Sequence, residues 1–465
     1  MGRTDVHAAV SIYAANKAPD ILSSTTGKLP ETFEIKEQGI KILKRGVYSS
    51  VASLILGYRD KTTQHIGEKR VLIKYFGKEN DEVKTRHKDP AQSTIDTCNF
   101  LSGNGDFPKY YFHEKTDIGT FLVLQQIGDE TFAEDALSYR GDSLRYLLQR
   151  IFPYISRFQI NTTKALGRLV EKDIAQEKFF SIFGRRPSAL RILDYLRAVK
   201  GKQSIDELDK NLKKAVLDNS IPVRKIYTPR KDSFRVTHGD LISKNIIFKE
   251  NEKQQYGFID ADPCITSPVL DLSTLLASPG IELRPSDWKA LTDLFLCSDG
   301  IEEDSMGKRG IDLHLIREGL VSKLENLGVE FANDEPPGNP YFYTFMGIFF
   351  RTGRIAAKVK DLQLLHPNIY TTMADDDPLL NNTITEMKNK MSLSLDGVVK
   401  DPSTFGISRA EYAGELTKLY EVLGNEGIID PIEDRCPISR EFSRAERPNF
   451  QANSPRTVKP AKEHA

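Results

Sequence analysis

The chain contains little cysteine. Its 465 residues include only Cys98, Cys264, Cys297 and Cys436, which lie far apart in the sequence. Their spacing matches neither a C-x-x-C metal site nor the dense pattern of a disulfide-stabilised domain. Free thiols are typical of reducing compartments, so we expect a cytoplasmic protein.

The chain also lacks a charge excess and a long apolar run. It has 65 basic and 65 acidic side chains, for a net charge of +0. Such a chain has no overall field to attract nucleic acid or anionic membranes. No apolar run reaches the ~18 to 20 residues that span a bilayer. The first residues lack an adequate signal-peptide core, and Val6 breaks the myristoylation pattern. We expect neither nucleic acid nor a membrane as partner.

The hydrophobic pattern changes near Gly128 and divides the chain into two parts. Before it, short β-branched and aromatic runs alternate with polar turns, which predicts strands with one helix among them. After it, apolar residues recur at three- and four-residue spacing, which is typical of helices. We predict a flexible arm at 1–28, a β-rich unit at 29–127, a helical unit at 128–430 and a polar tail at 431–465.

One segment of the helical unit has a different pattern. Residues 237–262 read THGDLISKNIIFKENEKQQYGFIDAD, in which two apolar runs flank a polar turn. This pattern predicts a β-hairpin with Asn245 and Asp260 at the same end and Asp240 in the loop before it. Because turns are often rich in Asp and Asn, an ordinary hairpin is the alternative interpretation.

Three oxygen-bearing side chains around one cavity suit phosphoryl transfer. That reaction needs a carboxylate to orient and deprotonate an acceptor hydroxyl, the role we assign to Asp240. It also needs hard oxygen ligands for Mg²⁺, and Asn245 and Asp260 offer one neutral and one anionic ligand. The motifs H-G-D-L-x-x-x-N, G-F-I-D and P-x-x-D-L occur together here, which favours this function over an ordinary hairpin.

These motifs resemble the catalytic signature of the aminoglycoside phosphotransferase family, which contains small-molecule kinases. The family pattern is H-G-D with a following Asn, then G-x-I-D and D-L-A; this chain has HGDLISKN, GFID and DLS. The resemblance implies that Asp240 is the catalytic base, that Asn245 and Asp260 bind Mg²⁺, and that His238 and Asp271 support the catalytic loop. It also implies ATP or GTP as donor, and an α+β, bilobal, protein-kinase-like fold with a small β-rich N-lobe and a larger helical C-lobe.

The resemblance implies nucleotide-binding residues in the N-lobe. A phosphate-covering turn would include Gly46, Ser49 and Ser50, whose small size allows phosphates to approach main-chain N–H groups. A single Gly between strands is also typical of a plain hairpin. Lys74, in the apolar run VLIKYF, would bind the α- and β-phosphates. An outward-facing strand residue is the alternative interpretation of this lysine.

Two further elements of the N-lobe follow Lys74. The family pairs its lysine with an acid on the next helix, but AQSTIDTCNFLSG contains no Glu. Asp96 is its only acid and is our expected partner for Lys74. In the connection to the C-lobe, the carbonyl of Gln125 and the N–H of Ile127 are expected to contact the adenine.

The sequence says least about the phosphate acceptor, which we expect to be a hydroxyl of a small molecule. Aminoglycosides are polycations and need an acidic pocket. The acid clusters at 302–304 and 375–377 are candidates, with solvated loops as the alternative. The aromatic residues 341–343 either line an acceptor pocket or pack in the core. Two other functions stay open: a kinase-fold enzyme that phosphorylates or nucleotidylates a protein, and a non-catalytic binding module.

Overall fold

A computed structural model describes most of the chain between residues 6 and 430. The described ranges are 6–28, 30–45, 49–77, 89–128, 130–136, 139–183, 205–219, 225–249, 255–310, 312–332, 338–365 and 378–430, with a few single residues between 193 and 202. Within them, the protein is of mixed α+β type, with a small antiparallel sheet in the N-terminal part and a helical C-terminal part.

The N-terminal part contains a five-stranded sheet in the order β1-β2-β3-β5-β4. All neighbouring strands are antiparallel. The strands are β1 (Pro30–Arg45), β2 (Ser50–Asp60), β3 (Ile66–Gly77), β4 (Tyr110–Lys115) and β5 (Gly119–Gln125). Helix α2 (Pro90–Leu101) lies between β3 and β4 in the chain and packs on one face of the sheet.

The other face of the sheet is covered by helix α1 (Val6–Thr26). The sequence predicted a flexible arm for residues 1–28, and the structure differs from this prediction. The segment is mixed in composition, but its apolar residues, among them Val10, Ala14 and Ile21, share one helix face that is buried against β2, β3 and β5. The ring of Tyr13 stacks on that of Phe121 with centroids 4.1 Å apart. Tertiary packing therefore orders a helix that its composition did not indicate.

The C-terminal part is mainly helical. Its helices are α3 (Phe132–Ala136), α4 (Gly141–Gln149), α5 (Phe152–Val170), α6 (Gln176–Phe183), α7 (Lys210–Asp218), α8 (Val269–Leu276), α9 (Pro285–Gly307), α10 (Leu313–Asn326), α11 (Pro340–Leu365), α12 (Pro378–Lys400) and α13 (Ala410–Asn425). In the ranges described above, none of the helices is both long enough and apolar enough to cross a membrane.

Two short sheets interrupt the helices. Strands β6 (Arg235–Thr237) and β9 (Cys264–Thr266) form one antiparallel pair, and β7 (Ile246–Phe248) and β8 (Tyr256–Phe258) form the other. The loop from 238 to 245 joins these two pairs. Both pairs lie within the segment that the sequence singled out, or directly beside it.

Helix α11 is central to the C-terminal part, because it packs against α8, α9 and α12. Phe342 and Tyr343 are buried in the main hydrophobic core, while the hydroxyl of Tyr341 donates a hydrogen bond of 2.6 Å to Asp293. The buried ring of Trp288 meets Phe345 edge to face. Residues 341–343 were expected either to line an acceptor pocket or to pack in the core, and Phe342 and Tyr343 pack in the core.

The packing of α1 predicts that two Ile→Ala substitutions on this helix lower the free energy of unfolding by different amounts. Ile21→Ala removes a fully buried side chain, whereas Ile12→Ala removes one that is 58% exposed. We expect Ile21→Ala to lower the free energy of unfolding by about 2 to 4 kcal/mol and Ile12→Ala to change it by less than about 0.5 kcal/mol. Urea unfolding of the two variants measures this difference. Equal, small effects would contradict the packing of α1.

Candidate active site

The hairpin of β7 and β8 is formed as the sequence predicts. Ile246 lies opposite Phe258, and the N–H of Ile259 donates a 3.0 Å hydrogen bond to the carbonyl of Asn245. A single 3₁₀ turn, Ser243–Asn245, leads from the loop into β7. Asn245 and Asp260 therefore lie at the same end of the hairpin, directly after the loop that carries Asp240.

Asn245 presents an oxygen suited to a metal ion. Its Nδ2 atom donates a 2.8 Å hydrogen bond to the carbonyl of Asp240. Its Oδ1 atom is buried and has no hydrogen-bond partner among the described residues. A buried acceptor without a partner is costly, and a hard cation such as Mg²⁺ binds this kind of oxygen. Asn245 thus fits the role of a metal ligand.

Asp260 has an unusual backbone conformation. Its φ angle is +56°, in the left-handed region that few non-glycine residues adopt. Backbones of this kind persist where the surrounding structure holds them, which is frequent at functional sites. Within the described ranges, Asp260 shares a positive φ with only two other non-glycine residues, Gln64 and Asp173.

Lys74 pairs with Asp260, at a distance of 2.9 Å between Nζ and Oδ1. Burial by itself would lower the pKa of Lys74, but the Asp260 carboxylate outweighs it and the pKa is raised. The amine is therefore fully charged. Lys74 lies on β3 of the sheet and Asp260 follows the hairpin, so this ion pair connects the N-terminal and C-terminal parts.

The structure gives Lys74 a different partner from the predicted one. Asp96 accepts hydrogen bonds from Gln92 Nε2 at 3.0 Å and from Ser181 Oγ at 2.6 Å. Helix α2 packs against α6, which carries Ser181, and this packing gives Asp96 its partners. The expected pairing of Lys74 with Asp96 is thus replaced by the pairing with Asp260.

Asp271 holds the loop that carries Asp240. Its fully buried carboxylate accepts hydrogen bonds from the main-chain N–H groups of His238 at 2.8 Å and Gly239 at 3.0 Å, and from Gln159 Nε2 at 2.8 Å. Burial raises the pKa of Asp271, while nearby His238 and the three donors act in the opposite direction. Each donor contact fixes one point of the loop or of helix α5.

His238 is held in the neutral form by its contacts. Its Nε2 atom lies 3.0 Å from the carbonyl of Ile259, so Nε2 carries the proton and donates it. Its Nδ1 atom accepts a hydrogen bond of 3.3 Å from the N–H of Asp240. Burial lowers the pKa of His238, in agreement with a neutral ring. His238 thereby links the base candidate to Ile259, which lies between β8 and Asp260.

Gly239 is required by the close approach of two loop segments. Its φ angle is +75°, and a Cβ atom at this position would lie 1.9 Å from the carbonyl oxygen of Asp262. The N–H of Asp262 also donates a 2.9 Å hydrogen bond to the carbonyl of His238. No side chain fits between these backbones.

Helix α11 contributes two arginines that the sequence analysis missed. Arg351 forms an ion pair with Asp240, and its side chain is only 5% exposed. Arg354 lies one turn further along, with Nη2 4.0 Å from Asp262 Oδ2. Two arginines three residues apart in the apolar run FFRTGRIAA were the available signal, since buried cations need partners.

The sequence analysis also did not single out Asp106, which lies before β4 and binds the hairpin. Its buried carboxylate pairs with Arg157 at 3.0 Å and with Lys249 at 3.1 Å. Its carbonyl accepts a 2.8 Å hydrogen bond from the N–H of Phe258 in β8. This residue fixes the hairpin against the segment that precedes β4.

The remaining nucleotide-binding candidates lie in or beside the sheet, except for Gly46. Ser50 begins β2 next to Val51, which is opposite Lys74, and Ser49 precedes it. Gly46 is outside the described residues. Gln125 ends β5, and the side chain of Ile127 packs so closely on Gly257 that a Cβ there would meet it at 2.6 Å.

The first acid cluster, 302–304, does not lie in the solvated loop that was the alternative interpretation. Residues 302–304 lie within helix α9, and Glu303 pairs with the buried Arg235 and with Arg317. One acid of this cluster is therefore engaged in balancing cations. The second cluster, at 375–377, lies outside the described residues.

The described residues contain no group of three or more His, Cys, Asp or Glu side chains that could hold a metal ion. A Mg²⁺ bound with a nucleotide needs only one or two protein ligands, because phosphates and water complete its shell. Asp260 and the Asn245 oxygen meet that requirement, since one supplies charge and the other an oxygen without a hydrogen bond.

No protein-family model matches the chain, and a search of curated proteins finds no match.

The close approach at Gly239 predicts that alanine will disrupt the loop. Gly239→Ala puts a methyl group where the Asp262 carbonyl lies, so we expect a loss of at least about 2 kcal/mol in the free energy of unfolding. Gly300→Ala on α9, where a Cβ meets nothing within 4 Å, is the control and should be neutral or stabilising. Denaturant unfolding measures both. A neutral Gly239→Ala would contradict the loop geometry.

The lowered pKa of His238 predicts a pH-dependent stability. The unfolded chain takes up a proton near pH 6.5, while the folded protein resists it. The stabilisation is therefore complete above that pH and is lost as the pH falls from 7 to 5. We expect wild-type protein to lose more unfolding free energy over this range than His238→Gln. The control His314→Gln, at an exposed ring, should keep the wild-type slope. Parallel slopes for all three proteins would exclude the effect.

Proposed function

We propose that the protein is an ATP- or GTP-dependent phosphotransferase with a protein-kinase-like, bilobal fold, which transfers a γ-phosphate to a hydroxyl of a small molecule. The observation that carries this proposal is the meeting of four groups at the hairpin. Asp240, Asn245 and Asp260 lie along one loop and hairpin, and Lys74 reaches Asp260 from the sheet. Phosphoryl transfer uses a base, two metal ligands and a phosphate-binding lysine in this relation.

Each residue has a role in the proposed reaction. Asp240 accepts the proton of the acceptor hydroxyl as its oxygen forms a bond to the γ-phosphorus. The bond from that phosphorus to the bridging oxygen breaks, and the nucleoside diphosphate leaves. Asn245 and Asp260 would hold Mg²⁺, which supplies positive charge against the phosphate oxygens. Lys74 binds the α- and β-phosphates, and His238 and Asp271 keep the loop in place.

The nucleotide itself would be bound mainly by backbone groups. Gly46, Ser49 and Ser50 belong to the turn over the phosphates, and the carbonyl of Gln125 and the N–H of Ile127 face the adenine in this proposal. Two of these residues are supported by their places in the sheet, since Ser50 begins β2 beside the strand of Lys74 and Gln125 ends β5.

One contact favours a second candidate function. Arg351 pairs with Asp240, and a carboxylate neutralised in this way is a weaker base. A nucleotide-binding module without catalysis would tolerate such a pair. In a phosphotransferase, the same pair would orient the carboxylate. A weak base is sufficient there, because the carboxylate accepts the proton only while the acceptor oxygen forms its bond to phosphorus.

Two aspartate variants test the proposal. Asp240→Asn should keep the thermal stabilisation by ATP with Mg²⁺ but lower phosphate transfer by about 10²- to 10⁴-fold. Asp260→Asn should lose the part of the stabilisation that depends on Mg²⁺. The measurements are thermal unfolding with and without each ligand, and ³²P transfer to a panel of hydroxyl compounds.

Asp304→Asn, at an exposed position of α9, is the control and should match wild type in both measurements. Absence of Mg²⁺-dependent stabilisation in wild type would exclude a nucleotide enzyme. Unchanged transfer by Asp240→Asn would exclude its role as base, and nucleotide binding without transfer to any compound would favour the binding module. Label found on a protein would favour a protein-modifying enzyme.

A further inference from the structure

Helix α11 directs two arginines at the loop that carries Asp240. Arg351 and Arg354 are three residues apart, so they share one face of the helix. Arg351 pairs with Asp240, and Arg354 approaches Asp262. Both cations therefore lie beside the loop and hairpin end where, in the proposed reaction, the acceptor hydroxyl meets Asp240.

The contact of Arg354 is weak for a cation in this position. Its Nη2 atom is 4.0 Å from Asp262 Oδ2, beyond hydrogen-bond distance, and the Asp262 side chain is 54% exposed. Water screens such a pair, which contributes little stability. Its Nη1 atom is buried without a hydrogen-bond partner among the described residues. A guanidinium in this state has donors to spare for an anion, which it can bind in a two-point fashion.

The neighbouring charges do not favour a cationic acceptor. Asp240 pairs with Arg351, Asp260 pairs with Lys74, and Asp262 lies 4.0 Å from Arg354. A polycation near Asp240 would displace one of these pairs and would approach two guanidinium groups. An anion would instead meet the donors of Arg354. The donors of Arg354 that have no hydrogen-bond partner among the described residues are therefore suited to negative charge on the acceptor.

We propose that Arg354, with Arg351 beside it, binds a carboxylate or phosphate group of the acceptor. The inference rests on the proposed function, because it names the class of acceptor for that reaction: an anionic hydroxy compound and not a polycation. Three residues of helix correspond to a rise of about 4.5 Å. The anion-binding arginine and the arginine that holds Asp240 therefore start close together, which suits a compact hydroxy acid or sugar phosphate.

A structural role for Arg354 would give a different result. It would support the loop through Asp262. The main chain of Asp262 is, however, already bound to His238 at 2.9 Å, and Asp271 holds the main chain of His238 and Gly239. Loss of a brace lowers stability in the absence of any ligand. Loss of an anion site changes the affinity for anionic compounds only.

The experiment measures binding without requiring turnover. Full-length protein is saturated with Mg²⁺ and ADP, and thermal unfolding is followed with glycerate, glycerol 3-phosphate, glycerol or kanamycin. We expect one or both anions to raise the melting temperature, and glycerol and kanamycin to leave it unchanged. The two anions distinguish a carboxylate site from a phosphate site. Arg354→Gln should weaken anion affinity at least about tenfold, and Arg354→Lys should restore part of it.

The controls separate this inference from the proposed function. Arg168→Gln, at an exposed arginine of α5, should keep the anion effect. Lys74→Gln should lose stabilisation by ADP while it keeps the anion effect. If ADP with Mg²⁺ fails to stabilise wild type, the proposed function fails. Three results would exclude the anion site but not the nucleotide site. ADP could stabilise the protein while neither anion does, or kanamycin could stabilise it in place of the anions. Alternatively, Arg354→Gln could bind anions as well as wild type.

Discussion

The arrangement of the site depends on one buried carboxylate. Asp271 accepts three N–H donors, two from the main chain of the loop and one from Gln159 on α5. It thereby fixes the loop to helix α8, which carries Asp271, and to α5 at the same time. His238 extends this support to both sides, since its two ring nitrogens contact the main chain of Asp240 and of Ile259. These hydrogen bonds hold the main chain of the loop, and they set the position of Asp240 without using its side chain.

The two parts of the protein meet through polar contacts around the same hairpin. Lys74 reaches Asp260 from the sheet, and Asp106 binds Arg157 and Lys249 while its carbonyl holds β8. These contacts are partly or fully buried, so each is more sensitive to the loss of one partner than a surface pair would be. Apolar packing covers one face of the sheet through α1, and α2 packs on the other face, from which Lys74 reaches Asp260.

The hairpin could be predicted because its signal is local. Asp240, Asn245 and Asp260 are close in sequence, and the alternation of apolar runs and a polar turn sets their relation directly. Helix α1 was missed because its composition is mixed and only its burial on the sheet reveals its apolar face. The partner of Lys74 depends on how α2 packs against α6, and Arg351 comes from a helix far along the chain. Contacts of this kind depend on tertiary packing, which a single sequence does not show.

The pair between Lys74 and Asp260 has a thermodynamic consequence for a nucleotide enzyme. In the absence of ligands, the lysine that would bind phosphates and the carboxylate that would bind the metal neutralise each other. The first ligand to bind, nucleotide or metal ion, has to break this ion pair. The second ligand then binds to a side chain that is no longer paired. Nucleotide and cation would thus bind with positive coupling, and the same factor would apply in both directions. A single ion pair is sufficient to make a site respond to the complex of two ligands more strongly than to either one alone.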